Sequence, residues 1–477
     1  MKYRYLLITI VLLFTACGGG NGDNAIPEPK EELKHNTAFK HSQKTVTIYV
    51  HGFKNDGYYR DDIYGNIYSS DFTKKLSEYT KDPTLDNYNK DNYSNIITGV
   101  EYYGNRPPNY YTEKDIEDIN SSINGIPRYA LIVAKYAKFV LKETGAEKIN
   151  IISASMGSLI TRYMIEKNIE NLALDKKIEK WISTEGVIRG NYVASKLKNI
   201  ESSAIKNVVD AFFAKSPETQ QMKYEWIEAN LTMERDTMKS PYYKDILVGQ
   251  ISLTDADKDD GLGLKYILPT HGGFQPNDGF QLVKDTYFGK IENYIQVPSH
   301  TLIHIDHVSI NDSSSVYATI SANLEAKKRV RVTLIDATVN RPHERITPTI
   351  NENAEIVFAN NIYSPKAKER WGIDNAISER VYNGGTLPIH HYKKKGQKKE
   401  FEQILFDDFV LEDENRLQVE IEAFEIDRST KYNINEVSTS SKETLSKSQI
   451  FIDLVNGVYN IVSDEWSGHI KVEVLEM

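Results

Sequence analysis

The apolar positions around Ser155 follow two different periods on either side of a short turn. Residues 148–153 form a near-continuous apolar run rich in β-branched side chains, which is typical of a strand covered on both faces. From Leu159 onward the apolar residues repeat at helical spacing. The small residues Ala154 and Gly157 leave room for a sharp turn between the two elements. The pattern predicts a serine hydroxyl raised at a sheet edge, beside a helix N-terminus.

Strands and helices alternate through the first two thirds of the chain. The predicted strands are residues 45–50, 95–103, 148–153, 180–184, 245–252 and 301–310. The predicted helices are residues 71–81, a long one over 115–142, the one after Ser155, a stretch from 279 to 288, and one that Asp312 caps. This alternation predicts an α/β domain over residues 43–326, with a mostly parallel sheet and helices on both faces.

Residues 327–477 have a different pattern. Strand candidates follow one another with turns between them, at 330–339, 355–359, 405–410, 417–424, 449–454, 458–462 and 469–474. No helical pattern of comparable length separates them. The segment is therefore predicted to be a separate all-β, sandwich-like domain.

The N-terminus reads as an export signal. Lys2 and Arg4 precede the apolar run 6–14, which is too short to span a membrane. Cys17 is the only cysteine of the chain and stands where a signal peptidase would cut. If the cleaved protein keeps this cysteine at its N-terminus, no second cysteine remains for an internal disulfide.

Cys17 and the residues before it resemble the lipobox of bacterial lipoproteins, in which the cysteine is acylated. The resemblance implies a lipid-anchored protein exported to the bacterial cell envelope, with a signal peptide over 1–16 and a flexible tether over 17–42. Gly18, rather than aspartate, after the cysteine is by analogy typical of transport to the outer membrane. The alternative is an ordinary secretion signal with an incidental cysteine.

The length of the chain indicates how many domains it can form, and its net charge indicates which partners it is expected to bind. A chain of 477 residues is long enough for two or three domains with sizeable cores. Without Lys2 and Arg4, 56 basic residues stand against 67 acidic ones, a net charge of −11. This balance argues against a nucleic-acid partner and against electrostatic docking on anionic lipid. Contact with a membrane is expected through the N-terminal lipid anchor alone.

Several segments together resemble the bacterial lipases and esterases of the α/β-hydrolase fold. These are His51-Gly52-Phe53, Ser155-Met156-Gly157 with Arg162-Tyr163, and Thr184 to Gly190, in the order and spacing of that family. Ser153, Ala154 and Ser158 stand where the family usually has glycine, histidine and glycine. The resemblance implies that Ser155 is the nucleophile and that the N–H groups of Phe53 and Met156 form the oxyanion hole. It also implies that residues 191–245 are a lid or cap insertion; a plain surface insertion is the alternative.

The same resemblance supplies an acid and a base. Asp278, in Asn277-Asp278-Gly279, matches the place where bacterial lipases carry the catalytic acid, and His307, in the predicted strand 301–310, matches the general base. His304 is the alternative base, because it lies on the same predicted strand. The order Ser155, Asp278, His307 is the one expected of α/β-hydrolases.

One further motif points to a metal. Asp255, Asp257 and Asp259 are spaced like the start of a calcium-binding loop. The glycine comes one place late, at Gly261, and Tyr266 stands where the loop needs glutamate. An acidic surface turn is the alternative.

The sequence thus predicts a serine-dependent carboxylic ester hydrolase, lipase-like or esterase-like, that acts on a lipid or another ester. Its Ser-His-Asp triad would work through an acyl-enzyme and would need no metal or organic cofactor. The same site could serve a thioesterase or an acyltransferase. From a different class, the chain could be a surface-exposed binding lipoprotein on a degenerate hydrolase scaffold, which the departures at Ser153, Ala154 and Ser158 leave open.

Overall fold

A computed structural model of the chain describes residues 40–54, 61–196, 216–254, 277–292, 297–340, 354–380, 388–426 and 442–477. Cys17 with the predicted signal peptide, and the calcium candidates Asp255, Asp257 and Asp259, lie outside these ranges. Within the described ranges, none of the helices combines the length and the apolar character needed to cross a bilayer.

The part before residue 327 contains a central sheet, a small second sheet and the helices. Its strands are β1 (Thr45–Val50), β2 (Asn66–Ile67), β3 (Asn95–Glu101), β4 (Lys148–Ala154), β5 (Ile178–Thr184), β6 (Met233–Glu234), β7 (Thr237–Met238), β8 (Leu247–Leu253), β9 (Lys290–Ile291) and β10 (Ser299–Ile303). Its helices are α1 (Asp71–Thr80), α2 (Glu113–Ser121), α3 (Ile126–Thr144), α4 (Met156–Glu166), α5 (Tyr192–Lys196), α6 (Pro217–Gln221), α7 (Tyr224–Asn230) and α8 (Ser314–Glu325).

The central sheet has the strand order β10-β8-β5-β4-β1-β3-β2. Every neighbouring pair is parallel except β2 with β3. Strand β4, which precedes Ser155, lies between β1 and β5 in the middle of the sheet. Because parallel strands all end at one edge, the residues that follow these strands meet there, where ligand sites of such sheets are found.

Helices cover both faces of this sheet. Val46, Ile48 and Val50 of β1 belong to a buried cluster with side chains of α3 and α4. Tyr49 points the other way and belongs to a second cluster, with side chains of α1 and α8. Alternate side chains of β1 therefore pack against the helices on opposite faces of the sheet, as expected of a sheet that lies between two layers of helices.

The antiparallel part follows directly. It contains β11 (Lys328–Val339), β12 (Ala354–Tyr363), α9 (Pro365–Trp371), β13 (Ser378–Arg380), β14 (His390–Tyr392), β15 (Gln397–Val410), β16 (Arg416–Ile426), β17 (Lys442–Asp453), β18 (Gly457–Val462) and β19 (Trp466–Glu476). One sheet has the order β15-β11-β19-β18, the other β13-β12-β16-β17 with β14 beside β12. Apolar side chains of both sheets form one buried cluster. The predicted fold class, a mostly parallel α/β sheet followed by antiparallel β-sheets, is confirmed.

The two parts are joined by buried polar contacts. Thr301 of β10 donates a hydrogen bond to Asp408 of β15, and Asn323 of α8 donates to the same carboxylate at 3.1 Å. Burial raises the pKa of Asp408 to about 6, against the effect of these hydrogen bonds. The C-terminal sheets thus support the strand that leads to His307. The domain boundary after residue 326 and the lid at 191–245 stay predictions.

Three element predictions are corrected. The helix expected over 115–142 is two helices, α2 and α3: the backbone becomes extended at Ser122, which ends α2, and Gly125, with a φ of 87°, is the N-cap of α3 ahead of Pro127. The stretch from 279 to 288 contains only a short 3₁₀ turn at Val283–Asp285. Ser313, rather than Asp312, caps helix α8, since its side chain accepts the hydrogen bond from Val316 N–H.

The strand expected over 301–310 also ends early, at Ile303. The chain then leaves the sheet, so His307 lies in a loop rather than on a strand. This loop gives the imidazole a direction that strand alternation would not provide.

Candidate active site

Ser155 occupies a strained turn between β4 and α4. Its φ of 50° and ψ of −122° are unusual for a residue with a Cβ and are typical of a serine raised above a sheet edge. Two hydrogen bonds hold the turn against the end of β5 and the segment after it. Ser155 N–H donates to Thr184 O at 3.0 Å, and Val187 N–H donates to Ser155 O at 3.0 Å. These contacts hold a conformation that would otherwise be costly.

Gly157 allows the turn to approach β1. A Cβ at this position would lie 2.2 Å from Val50 O and 2.6 Å from His51 O. Gly52 is similarly close from the other side, since a Cβ there would lie 3.0 Å from Ser155 Cβ. Gly157 therefore lets the start of α4 meet the end of β1 at the serine, whereas a Cβ at Gly52 would make only a tight contact.

The structure brings Ser155, His307 and Asp278 together in one hydrogen-bonded chain. His307 Nε2 lies 3.1 Å from Ser155 Oγ, and His307 Nδ1 lies 2.7 Å from Asp278 Oδ2. Since a carboxylate can only accept, Nδ1 carries the proton and Nε2 is left to accept from the serine hydroxyl. Asp278 is 1% exposed and Ser155 7%, so the chain is largely shielded from water.

The loop that carries Asp278 is fixed by its own backbone. Asp278 Oδ1 accepts from Phe280 N–H at 2.9 Å and from Gln281 N–H at 2.6 Å, while Asp278 O accepts from His307 N–H at 3.0 Å. The Phe280 ring lies 4.8 Å from the His307 ring. Acid and base are therefore held in register by main-chain contacts as well as by their side chains.

The segment after β5 clamps the same loop. Asn191 Nδ2 donates to Gln281 Oε1 at 2.6 Å and to Phe280 O at 3.2 Å, and Gln281 Nε2 donates to Gly190 O at 2.6 Å. Sequence analysis did not identify Asn191 or Gln281. No local pattern marks them, because 90 residues separate the two side chains.

The alternative base, His304, is directed elsewhere. Its Nδ1 lies 3.3 Å from Thr254 Oγ1, while His300 Nε2 lies 2.8 Å from Ser252 Oγ. Of the three histidines around β10, the structure brings His307 to Ser155.

The residues that depart from the lipase-like elbow form a buried hydroxyl network. Ser153 Oγ and Ser158 Oγ are 3.0 Å apart, and Ser183 Oγ donates to Ser158 Oγ at 3.0 Å. Trp181 Nε1 donates to Ser153 Oγ at 2.8 Å. Each hydroxyl has a partner, so the serines are accommodated without an unsatisfied buried group.

The predicted oxyanion donors flank the nucleophile. Met156 is the first residue of α4, where a backbone N–H has no acceptor within its own helix, and Phe53 follows Gly52 beside Ser155. The neighbouring peptide is fixed by Tyr102, whose hydroxyl donates to His51 O at 2.7 Å and to Gly52 O at 2.9 Å. Because a peptide unit is planar, fixing Gly52 O also fixes the direction of the Phe53 N–H.

His51 itself is packed against charged and aromatic side chains. Its ring stacks on Tyr102 with centroids 4.2 Å apart, and its Nε2 lies 3.4 Å from Glu101 Oε1. Burial alone would raise the pKa of Glu101, but hydrogen bonds and charges from His51 and Lys54 outweigh it and lower the pKa to about 2. Glu101 ends strand β3 and Tyr102 follows it; neither was predicted as a site residue, although β3 pairs in parallel with β1 and so ends at the same edge of the sheet.

Tyr102→Phe is expected to lower kcat/KM about tenfold, because the Phe53 N–H loses part of its orientation. It should also cost about 1–2 kcal/mol of unfolding free energy, since two buried carbonyls lose a donor. Tyr136→Phe is the matched control, because Tyr136 is a buried tyrosine whose hydroxyl lies 2.7 Å from Thr98 Oγ1. Ester-hydrolysis kinetics and thermal unfolding of both variants check this. Equal kcat/KM values for Tyr102→Phe and the control would contradict the orienting role.

Metal ligands are absent from the part of the site that can be described. Among residues within the described ranges, no group of three or more His, Cys, Asp or Glu side chains is arranged to hold a metal ion. The calcium motif at Asp255, Asp257 and Asp259 stays a prediction.

Known proteins resemble this chain only distantly. No protein-family model matches the sequence, and no curated protein matches it. Among solved structures, the lipase BlEst2 of Bacillus licheniformis in its mature form is similar over 63% of this chain and 95% of its own, at 10% identity and a TM-score of 0.37. The metagenomic carboxyl esterase MGS0156 is similar over 57% of this chain and 67% of its own, at 11% identity and a TM-score of 0.32. Because both TM-scores are low, the function has to be inferred from the strand order and the side-chain geometry.

Proposed function

We propose that this protein is a serine hydrolase that cleaves carboxylic esters, lipase-like or esterase-like in its reaction. The observation that carries the proposal is the hydrogen-bonded chain from Ser155 through His307 to Asp278, with the serine on a strained strand-to-helix turn. A serine hydroxyl is a weak nucleophile, and this arrangement supplies both a base and a group that orients the base.

The reaction follows from the proton positions. His307 Nε2 takes the proton of Ser155 Oγ as the oxygen attacks the ester carbonyl, and Asp278 stabilises the imidazolium that forms. The N–H groups of Phe53 and Met156 would bind the negative oxygen of the tetrahedral intermediate. The imidazolium then protonates the departing alcohol, which leaves an acyl group on Ser155. A water molecule, activated by His307, releases the acid and restores the free serine.

No step of this reaction requires a metal or an organic cofactor. The substrate is proposed to be a lipid or another carboxylic ester. The same acyl-enzyme could be formed from a thioester or transferred to an alcohol, and a panel of esters, thioesters and alcohol acceptors separates these reactions. The alternative hypothesis, a binding protein on a degenerate hydrolase scaffold, loses support. It depended on the departures from the family pattern at Ser153, Ala154 and Ser158. The two serines have hydrogen-bond partners, and the nucleophile and base remain within hydrogen-bonding distance.

The proposal includes a place in the cell. The resemblance of Cys17 to a lipobox supports export to the bacterial cell envelope and anchoring by an N-terminal lipid, by analogy in the outer membrane. The tether after Cys17 would hold the enzyme near a membrane without any electrostatic attraction to it.

Fluorophosphonate labelling tests the activated serine. The reagent phosphonylates a serine only where a base has activated it, so peptide mass mapping is expected to find the adduct on Ser155. Ser155→Ala should show none, and prior heat denaturation should abolish labelling of the wild type. A folded wild type that stays unlabelled, with and without detergent to open a lid, would favour the binding-protein reading.

A further inference from the structure

A second carboxyl group lies beside the triad. Glu185 follows the last residue of β5 and is 1% exposed. Within the described residues, its Oε2 is fully buried and has no hydrogen-bond partner. A buried ionised carboxylate with one oxygen left unpaired would be unfavourable, so this side chain calls for an explanation.

Glu185 is held next to the nucleophile by the backbone. Thr184 before it and Val187 after it each make a main-chain hydrogen bond to Ser155, at 3.0 Å. Its own N–H donates to Ile251 O of β8 at 2.8 Å. Its φ of 36° is in the left-handed region, which is costly for a residue with a side chain and is concentrated at functional sites.

The titratable groups that act on Glu185 come from three other segments. Burial raises its pKa to about 8; the charge of Asp278 also raises it, while the charge of His307 when protonated and a hydrogen bond with the Thr184 side chain lower it. Tyr49 of β1 faces it as well, and burial together with Glu185 raises the pKa of that phenol, which therefore stays neutral. Burial and the charge of Asp278 thus both favour the neutral carboxylic acid at Glu185, and its Oε2 has no hydrogen-bond donor, within the described residues, that would stabilise a negative charge.

We propose that Glu185 is a positioning residue of the active site, a neutral acid that leaves Asp278 as the single negative charge next to His307. The inference rests on the proposed hydrolase function. Two carboxyl groups near one imidazole can have different protonation states when their surroundings differ. Asp278 has hydrogen-bond donors for its charge, and Glu185 Oε2 has none.

Loss of the Glu185 proton then changes the site. A second carboxylate would repel Asp278 in a buried region and weaken its hydrogen bond to Nδ1 of His307. It would also oppose the negative charge that develops on the ester oxygen. The rate of acylation is therefore expected to fall as pH rises through the titration of Glu185.

The pH profile of kcat/KM with para-nitrophenyl butyrate tests this on the full chain. For the wild type, kcat/KM is expected to drop about tenfold between neutral pH and about pH 9.5, the size of a one-unit interaction between two titrating groups. Glu185→Gln is neutral at every pH, so its drop should be less than about twofold, while the midpoint of the acid limb stays in place. Glu185→Asp keeps a titratable carboxyl and should keep the alkaline drop.

Two outcomes overturn the inference. If kcat/KM of Glu185→Gln drops at alkaline pH as much as that of the wild type, another group causes the drop. A downward shift of the acid limb by about one unit in that variant would mean that Glu185 is already a carboxylate when His307 titrates. A wild type without any ester hydrolysis would instead contradict the proposed function.

A stability measurement covers the case in which the glutamine variant is inactive. The unfolded state releases the Glu185 proton near its ordinary pKa of about 4.5, whereas the folded state keeps it up to about 8. As pH rises from about 4.5 to about 8, the unfolding free energy of the wild type should therefore decrease relative to that of Glu185→Gln, which has no carboxyl group at this position. Parallel stability curves would overturn the inference. If the glutamine variant does not fold, infrared spectroscopy of the wild type tests the inference instead. The carboxylic acid band of Glu185 should disappear between neutral pH and about pH 9.5.

Discussion

Ser155→Ala is expected to lower kcat for ester hydrolysis by about 10⁴-fold or more, because no other group can form the acyl-enzyme. The free energy of unfolding should change by less than about 1 kcal/mol, since the side chain loses one hydrogen bond, to His307 Nε2. Steady-state kinetics with a short-chain ester and thermal unfolding measure the two effects on the same preparation.

Ser321→Ala is the matched control for this variant. Ser321 is a buried serine in α8 whose hydroxyl donates to Tyr317 O at 2.8 Å, on the helix that follows the His307 loop. Its replacement removes a hydroxyl of the same kind but should leave kcat within about twofold. Ester turnover that survives in Ser155→Ala would remove Ser155 from the mechanism.

Gly157→Ala has the largest expected effect on stability. Alanine is normally favoured over glycine inside a helix by about 1 kcal/mol, so the intrinsic preference alone would stabilise α4. The added Cβ would, however, lie 2.2 Å from Val50 O, a backbone atom in the middle of the central sheet. We expect a loss of at least about 3 kcal/mol in unfolding free energy, together with a loss of activity as the elbow moves away from β1.

Gly457→Ala is the control for this steric argument. A Cβ at Gly457 would meet no atom closer than 4.0 Å, so its effect should stay within about 0.5 kcal/mol. Chemical denaturation of both variants provides the comparison. A Gly157→Ala variant as stable as Gly457→Ala would show that the approach of α4 to β1 is looser than the distances indicate.

The elbow was predictable because its signal is local. A change from strand to helical periodicity, with small residues at the change, is visible within the residues around Ser155. The acid and the base, by contrast, were named only through the resemblance to bacterial lipases and esterases, which implies the order Ser155, Asp278, His307. The residues that hold these side chains were not predictable in the same way.

Asn191 and Gln281 illustrate the reason. Their hydrogen bond joins segments 90 residues apart, and each residue alone is an unremarkable polar amide. Glu185 was expected just after the strand 180–184 with no assigned role, and only its burial and its place beside Ser155 distinguish it. Local periodicity also predicted elements that are too long: the strand expected to reach residue 310 ends at Ile303. A terminus is decided by hydrogen bonding and packing that adjacent residues do not reveal.

Trp181 gives the nucleophile turn an optical reporter. Its indole is fully buried, and its N–H is bonded to Ser153, two residues before the nucleophile. Tyr243 and Phe288 are its aromatic neighbours, with ring centroids 6.0 Å and 6.2 Å away. An indole in such a dry, hydrogen-bonded environment emits at short wavelength, and its emission responds to movement of its partner. Acylation of Ser155 can therefore be followed by the intrinsic fluorescence of the protein, without any added dye.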